Sequence, residues 1–281
     1  MKLHFLLLLL VIIVFLSGCV GQSETQKSYG IGLSATLTVD AQQVRTSIPV
    51  TFILAVKNLA SEVAEDIKVQ LLNLTGWQVE NEIQELKELK PNDLYKFSWV
   101  AYAPSQNKTF IATTNVFYYM RTKANIKLRV YDNEYLNTLN QEERNKIKEK
   151  SALLSSMMSK NTPVGVQINL KQPFILTRYR ETLPFVLEIK NVGSGEVYSD
   201  ISNYPPPERY KEYVRFEFNS NSTLQCDFDD GELVKLSNKS KSIVCRLVIT
   251  KDDIKNYTDF SINFTISYTY LDKAKTKIEV V

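Results

Sequence analysis

Three observations predict an all-β fold of two tandem β-sandwiches joined by an amphipathic helix, behind an N-terminal export segment. Apolar and polar residues alternate with period two over many short runs. The composition, with 15 Tyr, 13 Phe and only 9 Gly in 281 residues, suits pleated, half-buried surfaces. Finally, the second half of the chain repeats the first. The divisions expected are 1–18 as signal peptide, 19–30 as tether, 31–133 as the first sandwich, 134–162 as a helical connector and 163–281 as the second sandwich.

Residues 1–19, MKLHFLLLLLVIIVFLSGC, carry one cation, an apolar run broken only by His4, and then Ser17 and Gly18 before a cysteine. That is the layout of an export signal, and the run falls short of the about 20 apolar residues a spanning helix needs. Leu16-Ser17-Gly18-Cys19 resembles the lipobox of bacterial and archaeal lipoproteins. The resemblance implies cleavage before Cys19, lipidation of its thiol, and a location at the cell membrane, lipid-anchored on the extracytoplasmic face. The short, polar stretch 22–29, QSETQKSY, reads as a tether.

From Leu33 the period-two pattern begins: Leu33, Ala35, Leu37 and Val39 share one face, as do Val50, Phe52, Leu54 and Val56. Ile67, Val69 and Leu71 follow, then Phe97, Trp99 and Ala101, then runs over 110–118 and 126–130. Turn signals such as Lys90-Pro91-Asn92-Asp93 separate them. Such a series of short strands argues for a sandwich in which each strand buries one face.

Between about 136 and 160 the period shifts. Leu136, Leu139, Ile147, Leu154 and Met158 fall near one helical face, and Glu142 can reach Lys146. An amphipathic helix is expected there, its stripe packed on the neighbouring sandwich.

Strands resume at Val164, Val166 and Ile168 and continue through Leu187, Ile189, Val214, Phe216, Phe218, Val234 and Leu236 to closing runs over 260–270 and 278–280. Cys226 and Cys245 both alternate with apolar residues. As an even pair in an exported chain they are expected to form a disulfide. The loop it closes has about 20 residues, for which chain entropy gives roughly 3 kcal/mol. Residues 109–130 lie without a gap over 259–280, with Phe110 over Phe260, Tyr118 over Tyr268 and Lys123-Ala124 over Lys273-Ala274. Upstream, Val56-Lys57-Asn58 matches Ile189-Lys190-Asn191, and Leu89 matches Leu236. Matches at three places in one order indicate a duplication.

The runs VKNLASEVAEDIKVQLL, LKELKPNDLYKFSWVAYAP and FIATTNVFYYM resemble the immunoglobulin-like modules of the CARDB and NEW3 kind found in archaeal and bacterial surface proteins. Asn58 and Asn191 match the family's asparagine after the second strand, and Gly193 its following glycine, whereas the first half has Ala60 there. The second half departs further through an insertion around Pro205, Pro206 and Pro207. The resemblance implies two tandem immunoglobulin-like β-sandwiches serving as a non-catalytic scaffold or adhesion module. With the short signal and Lys-rich composition, the chain looks archaeal rather than bacterial.

Charge is nearly balanced, 34 Lys+Arg against 31 Asp+Glu, and no basic tract points to nucleic acid. The single histidine, His4, lies in the segment expected to be removed. A mature chain without histidine cannot hold a Ser-His-Asp or Cys-His machine or a His-ligated zinc. Carboxylate pairs and Ser-Lys arrangements work without imidazole, but nothing singles one out among the 31 acids. A sandwich needs a grafted site to be catalytic, so no catalytic residue, metal ligand or cofactor is assigned and the chain is not expected to be an enzyme. Asp227, Asp229, Asp230 and Glu232 sit in DFDDGE, where Gly231 occupies a position the EF-hand pattern gives to an oxygen ligand. A solvated hairpin turn is the expectation.

The loop 202–213, SNYPPPERYKEY, is the most distinctive. Its prolines hold the backbone extended. Tyr204, Tyr210 and Tyr213 either present flat contacts to a partner or cap the end of the core as part of a stiffened crossover. Sequons stand at Asn73, Asn107, Asn221, Asn238, Asn256 and Asn263 and offer candidate N-glycosylation sites. The function expected is a surface lipoprotein acting as a binding, adhesion or envelope-scaffold module, with an unknown surface protein or glycan as partner and the membrane reached through the lipid. The alternative is an accessory subunit that tethers a membrane complex or secreted enzyme at the surface.

Overall fold

The structure is a computed structural model and describes residues 31–170, 172–199, 204–220 and 223–281. The signal peptide, the tether, Cys19 and Asn221 lie outside the described residues. The described chain is built almost wholly of antiparallel strands, in two four-stranded sheets and one ten-stranded sheet. No helix among the described residues is long and apolar enough to cross a membrane.

In the first repeat the strands are β1 (Leu33–Val39), β2 (Gln43–Val44), β3 (Pro49–Asn58), β4 (Ala64–Leu72), β5 (Gln78–Val79), β6 (Ile83–Leu89), β7 (Leu94–Tyr102) and β8 (Lys108–Asp132). Two short helices follow, α1 (Asn133–Thr138) and α2 (Gln141–Lys148), then β9 (Leu153–Met158). The second repeat holds β10 (Val164–Asn169), β11 (Phe174–Leu176), β12 (Arg180–Asn191), β13 (Glu196–Tyr198), β14 (Tyr213–Ser220), β15 (Thr223–Cys226), β16 (Glu232–Lys235), β17 (Ser240–Thr250) and β18 (Tyr257–Val280). One small sheet has the order β1-β3-β7-β5 and the other β10-β12-β17-β15, the same order element for element, as a duplication requires.

The sequence pattern suggests two strands within 108–132 and two within 257–280, and here the structure differs. β8 and β18 are single strands of 25 and 24 residues. They pair antiparallel without a register shift from Lys108–Val280 to Tyr131–Tyr257. At about 3.3 Å per residue this ladder spans about 80 Å. The cause is local: neither stretch contains a Gly, a Pro or an Asn-Gly pair, so nothing supplies the positive φ that a tight hairpin needs, while aromatic and β-branched residues run through the middle.

Each long strand therefore serves both repeats. The first part of β8 pairs with β4, and its last part with β9 and β11. The first part of β18 pairs with β14, and its end with β2. Each sandwich thus receives its last strand from the other repeat. The expected cut at 133/134 falls instead at the end of a strand that belongs to both. Tyr119 pairs with Thr269, which is also its counterpart at the 150-residue offset that separates Phe110 from Phe260, so this pair marks a pseudo-two-fold axis.

Parity keeps the layers in order, because a strand shows alternate residues to alternate faces. The even-numbered residues of β8 from 110 to 132 are all buried, and so are those of β18 from 260 to 280 except the partly exposed Thr276. Both small sheets pack side by side on this one face and form a continuous core. The two repeats make equivalent contacts there. Leu33 N–H donates to the Tyr118 hydroxyl at 3.3 Å, and Val164 N–H to the Tyr268 hydroxyl at 3.4 Å. Asn58 Nδ2 donates to the Glu62 carbonyl at 2.9 Å, and Asn58 Oδ1 accepts from Ala60 N–H at 2.9 Å. Asn191 does the same with Gly195 and Gly193, both at 3.1 Å. Gly193 has no side chain for a packing reason: a Cβ there would lie 2.1 Å from the Tyr270 hydroxyl.

The connector expected to be helical over 134–162 is helical only over α1 and α2. Asp132 caps α1, and α2 opens with a capping box between Asn140 and Glu143. The Glu142–Lys146 pair forms at 2.5 Å, yet α2 has no buried residue, and of the expected stripe only Leu136 is fully buried while Met158 packs partly against the core. Leu153–Met158 instead adds an edge strand to β8. Short apolar runs fit either period, and the exposed edge of β8 decides between them by offering backbone partners. The junction is then stitched. Gly32 N–H donates to Asn161 O at 2.7 Å and Ser61 N–H to Lys160 O at 2.9 Å, and Lys123 pairs with Glu62 at 3.0 Å.

Candidate functional site

The distinctive surface lies on the outward face of the long sheet, beside the pseudo-two-fold axis. Odd-numbered residues of β8 and β18 point there; among them the apolar Ile111 is exposed, whereas the apolar Phe117 and Leu271 are buried. The second repeat interrupts its counterpart of β4 between β13 and β14, and the inserted segment folds back over this pair. Tyr198 and Tyr204 complete a small separate cluster with Phe117 and Leu271. The Tyr204 ring meets Phe117 edge-on, 4.9 Å between centroids. Its hydroxyl donates to Gln70 Oε1 at 3.3 Å, and Lys68 lies over the ring at 5.7 Å. Burial, with help from the Glu85 charge, pushes the Tyr204 phenol up to about 12.

Of the candidate binding-loop residues, Tyr204 is thus a packing residue and Pro206 is buried, while Pro205 is exposed. Tyr210 is half-buried in a short turn, with Arg209 over its ring at 4.8 Å. Tyr213 opens β14 beneath Lys235, 5.8 Å away. The loop does not bring the three tyrosines into one exposed patch, because Tyr204 faces the sheet.

A shallow groove of about 90 Å³ flanks the insertion, lined by Asn191, Gly195, Glu196, Lys211, Glu212 and Lys239 among others. Its centre is an ion pair, Lys211 Nζ to Glu196 at 3.1 Å, and the Tyr198 hydroxyl donates to the same carboxylate at 2.8 Å. Burial alone would push the Glu196 carboxyl up, but the Tyr198 and Lys211 hydrogen bonds outweigh it, so it lies below its ordinary range. Tyr198 is raised by burial and by its bond to Glu196, and Lys211 is raised chiefly by its bond to Glu196. The carboxylate and the ammonium satisfy each other. Such an arrangement positions backbone and fixes the insertion, and neither group is poised to transfer a proton at neutral pH. Sequence reasoning missed this pair, since Glu196 and Lys211 are fifteen positions apart across the insertion. The available signal was the apolar Phe117 and Leu271, directly paired near the middle of a largely polar face.

Cys226 and Cys245 are bonded, with Cα atoms 4.0 Å apart, and stand directly opposite each other on β15 and β17. The acids of DFDDGE serve local structure. Asp227 pairs with Arg246 at 2.9 Å, Asp230 accepts from Phe218 N–H at 2.8 Å, and Glu232 accepts from Asp229 N–H at 2.9 Å. Gly231 takes the left-handed turn position, φ +79°. No group of three potential metal ligands occurs among the described residues. Asn73, Asn107, Asn238, Asn256 and Asn263 are all exposed, and Asn263 accepts a hydrogen bond from Asn125 on the outward face of the long sheet.

No protein-family model matches the chain, and no curated protein matches it. Solved structures give distant likenesses. The secreted serine protease VesC from Vibrio cholerae is 8% identical over 86% of this chain and 50% of that chain, with a TM-score of 0.25. Escherichia coli alpha-2-macroglobulin activated by porcine elastase is 10% identical over 88% of this chain and 33% of that one, with a TM-score of 0.17. The collagen adhesin from S. aureus is 8% identical over 87% of this chain and 91% of that one, with a TM-score of 0.14. This chain therefore spans half or less of the first two, and at such scores none of the three bears on its fold or function.

Proposed function

We propose that the chain is a non-catalytic cell-surface lipoprotein of two immunoglobulin-like sandwiches, held by Cys19 and serving as a binding, adhesion or envelope-scaffold module. The observation that carries this reading is the Cys226–Cys245 disulfide, because such bonds persist in exported proteins. It supports export independently of the hydrophobic N-terminal segment. The non-catalytic part rests on chemistry. The only histidine is His4, and the charged pair in the one groove described above is mutually neutralised.

The alternative, an accessory subunit that holds a complex or enzyme at the surface, is favoured by one feature. The unbroken β8–β18 ladder makes a stiff spacer of about 80 Å, which suits holding two bodies at a fixed distance. Fractionation of cells carrying Cys19→Ala tests the anchor shared by both readings. The wild type should sediment with membranes and label with lipid precursor, whereas the variant should lose the label and leave the membrane. A variant that stays membrane-bound at wild-type size would replace the lipid anchor with a retained helix.

A further inference from the structure

Beyond the insertion, the outward face of the long sheet carries a line of positive charge. Lys273, Lys275 and Lys277 occupy alternate positions of β18, so their side chains share that face, and all three are exposed. At about 3.3 Å per residue the line is about 13 Å long. It begins in the row after Leu271, the residue buried with Tyr198. The register sets uncharged side chains beside it. Lys273 stands opposite Asn115, Lys275 opposite Thr113 and Lys277 opposite Ile111, and on β4 Gln70 continues the Asn115 row. Ile111 is 58% exposed. The acids that border the line are held by other groups: Glu196, opposite Leu271, meets Lys211 at 3.1 Å, and Glu279 accepts from Gln43 Nε2 at 3.1 Å.

The duplication supplies a comparison within the same molecule. At the offset that separates Phe110 from Phe260, the counterparts of the three lysines are Lys123, Asn125 and Lys127 on β8. There each lysine meets an acid: Lys123 pairs with Glu62 at 3.0 Å and Lys127 with Asp259 at 3.3 Å. Asp259 reaches Lys127 diagonally across the β8–β18 ladder. The residue on the same diagonal from Lys277 is Thr109, which carries no charge, and the middle position is a lysine in place of Asn125. The two repeats thus share a backbone and differ in charge. In one the lysines belong to ion pairs, and in the other they concentrate positive charge along a strand. Like charges about 6.6 Å apart repel one another, a cost that an external anion removes.

We infer that Lys273, Lys275 and Lys277 bind a linear acidic polysaccharide. The ammonium groups take carboxylates along the polymer, Asn115 and Gln70 hydrogen-bond hydroxyls beside them, and the exposed Ile111 packs on the apolar face of a sugar ring. The shape of the patch favours this ligand over a lipid surface. Headgroup recognition draws on clusters of about 4–8 cations, whereas here three lie along one strand and the flanking rows offer amide groups. Such binding gives the surface module proposed above, on which this assignment rests, its class of partner. The contact itself needs no lipid, so loss of polysaccharide binding and loss of anchoring are separate outcomes.

Acetylation of the detergent-solubilised full chain, read lysine by lysine through peptide mass mapping, tests the contact. Polygalacturonate should slow the reaction severalfold at Lys273, Lys275 and Lys277 and leave Lys123 and Lys127 unchanged. High salt should abolish the protection, and neutral dextran should give none. On immobilised polygalacturonate, the triple variant Lys273→Gln, Lys275→Gln, Lys277→Gln should lose binding, whereas the corresponding triple Arg variant should keep it. Exposed substitutions of this kind change stability little, and thermal melts check that both variants fold. Lys123→Gln with Lys127→Gln should bind as the wild type does. Equal protection of all five lysines, or equal loss in the two Gln variants, would overturn the inference by reducing the contact to net charge. Protection by mixed micelles containing anionic phospholipid, with none by polygalacturonate, would overturn it in favour of a membrane-facing surface. Protection by neither would overturn it too and leave a solvated row of charge.

Discussion

Single residues define how the long ladder is held. Asp259 on β18 receives two hydrogen bonds from Arg129 on β8, at 2.7 and 2.9 Å, with Lys127 at 3.3 Å. The Arg129 bond, against a smaller opposing effect of burial, keeps the Asp259 carboxyl below its ordinary range. A carboxyl depressed in the folded state contributes stability that is complete above its unfolded pKa of about 3.9 and is lost as pH falls through the lower folded value. The pair is partly exposed, so its contribution is about 1 kcal/mol. Asp259→Asn should lower the urea midpoint near neutral pH and leave a smaller drop between about pH 5 and about pH 2 than the wild type shows. An unchanged pH profile would mean that the pair adds nothing. The residues most legible in the sequence were of this local kind: the cysteines, whose alternation with apolar neighbours put them on facing strands, and Asn58 and Asn191, whose matching surroundings reflect matching hydrogen bonds.

Among the elements, the proline-rich insertion is explained by what lies beneath it. Phe117 and Leu271 are buried in one cluster with Tyr198, and Tyr204 packs against it, so these two tyrosines cover an apolar spot on the outward face of the sheet. Tyr204→Ala should cost about 2 kcal/mol, since it removes a packed aromatic ring. Tyr210→Ala should stay within about 0.5 kcal/mol. Thermal melts of the two variants compare them directly, and equal melting temperatures would show that Tyr204 does not anchor the insertion. The elements least legible in the sequence were β9 and the two long strands. LLSSMM carries apolar residues at spacings that satisfy a helix or a strand, and the choice falls to the edge of β8, which is remote in sequence. In β8 and β18 the alternation was visible, but its continuity through Tyr119 and Thr269 depends on the pairing of the strands with each other.

At the scale of the whole molecule, duplication and strand sharing have produced one body from two repeats. Neither sandwich is complete alone: the first takes the end of β18, and the second takes the end of β8. Both small sheets add to one continuous core, and the loop around Ser61 is bonded to the segment that leads into the second repeat. Disturbance in one repeat should therefore be felt in the other. The chain offers a built-in way to see this, because its two tryptophans, Trp77 and Trp99, both lie in the first repeat, whereas the Cys226–Cys245 bond lies in the second. Reducing that bond removes roughly 3 kcal/mol of constraint on the unfolded chain. The decisive measurement is urea unfolding of the oxidised and reduced protein, followed in parallel by tryptophan fluorescence and by far-ultraviolet circular dichroism. Strand sharing predicts that reduction shifts both midpoints down together and that the two curves stay superimposed. A fluorescence midpoint unmoved by reduction, with a separate earlier step in the dichroism, would contradict it and show two independent sandwiches.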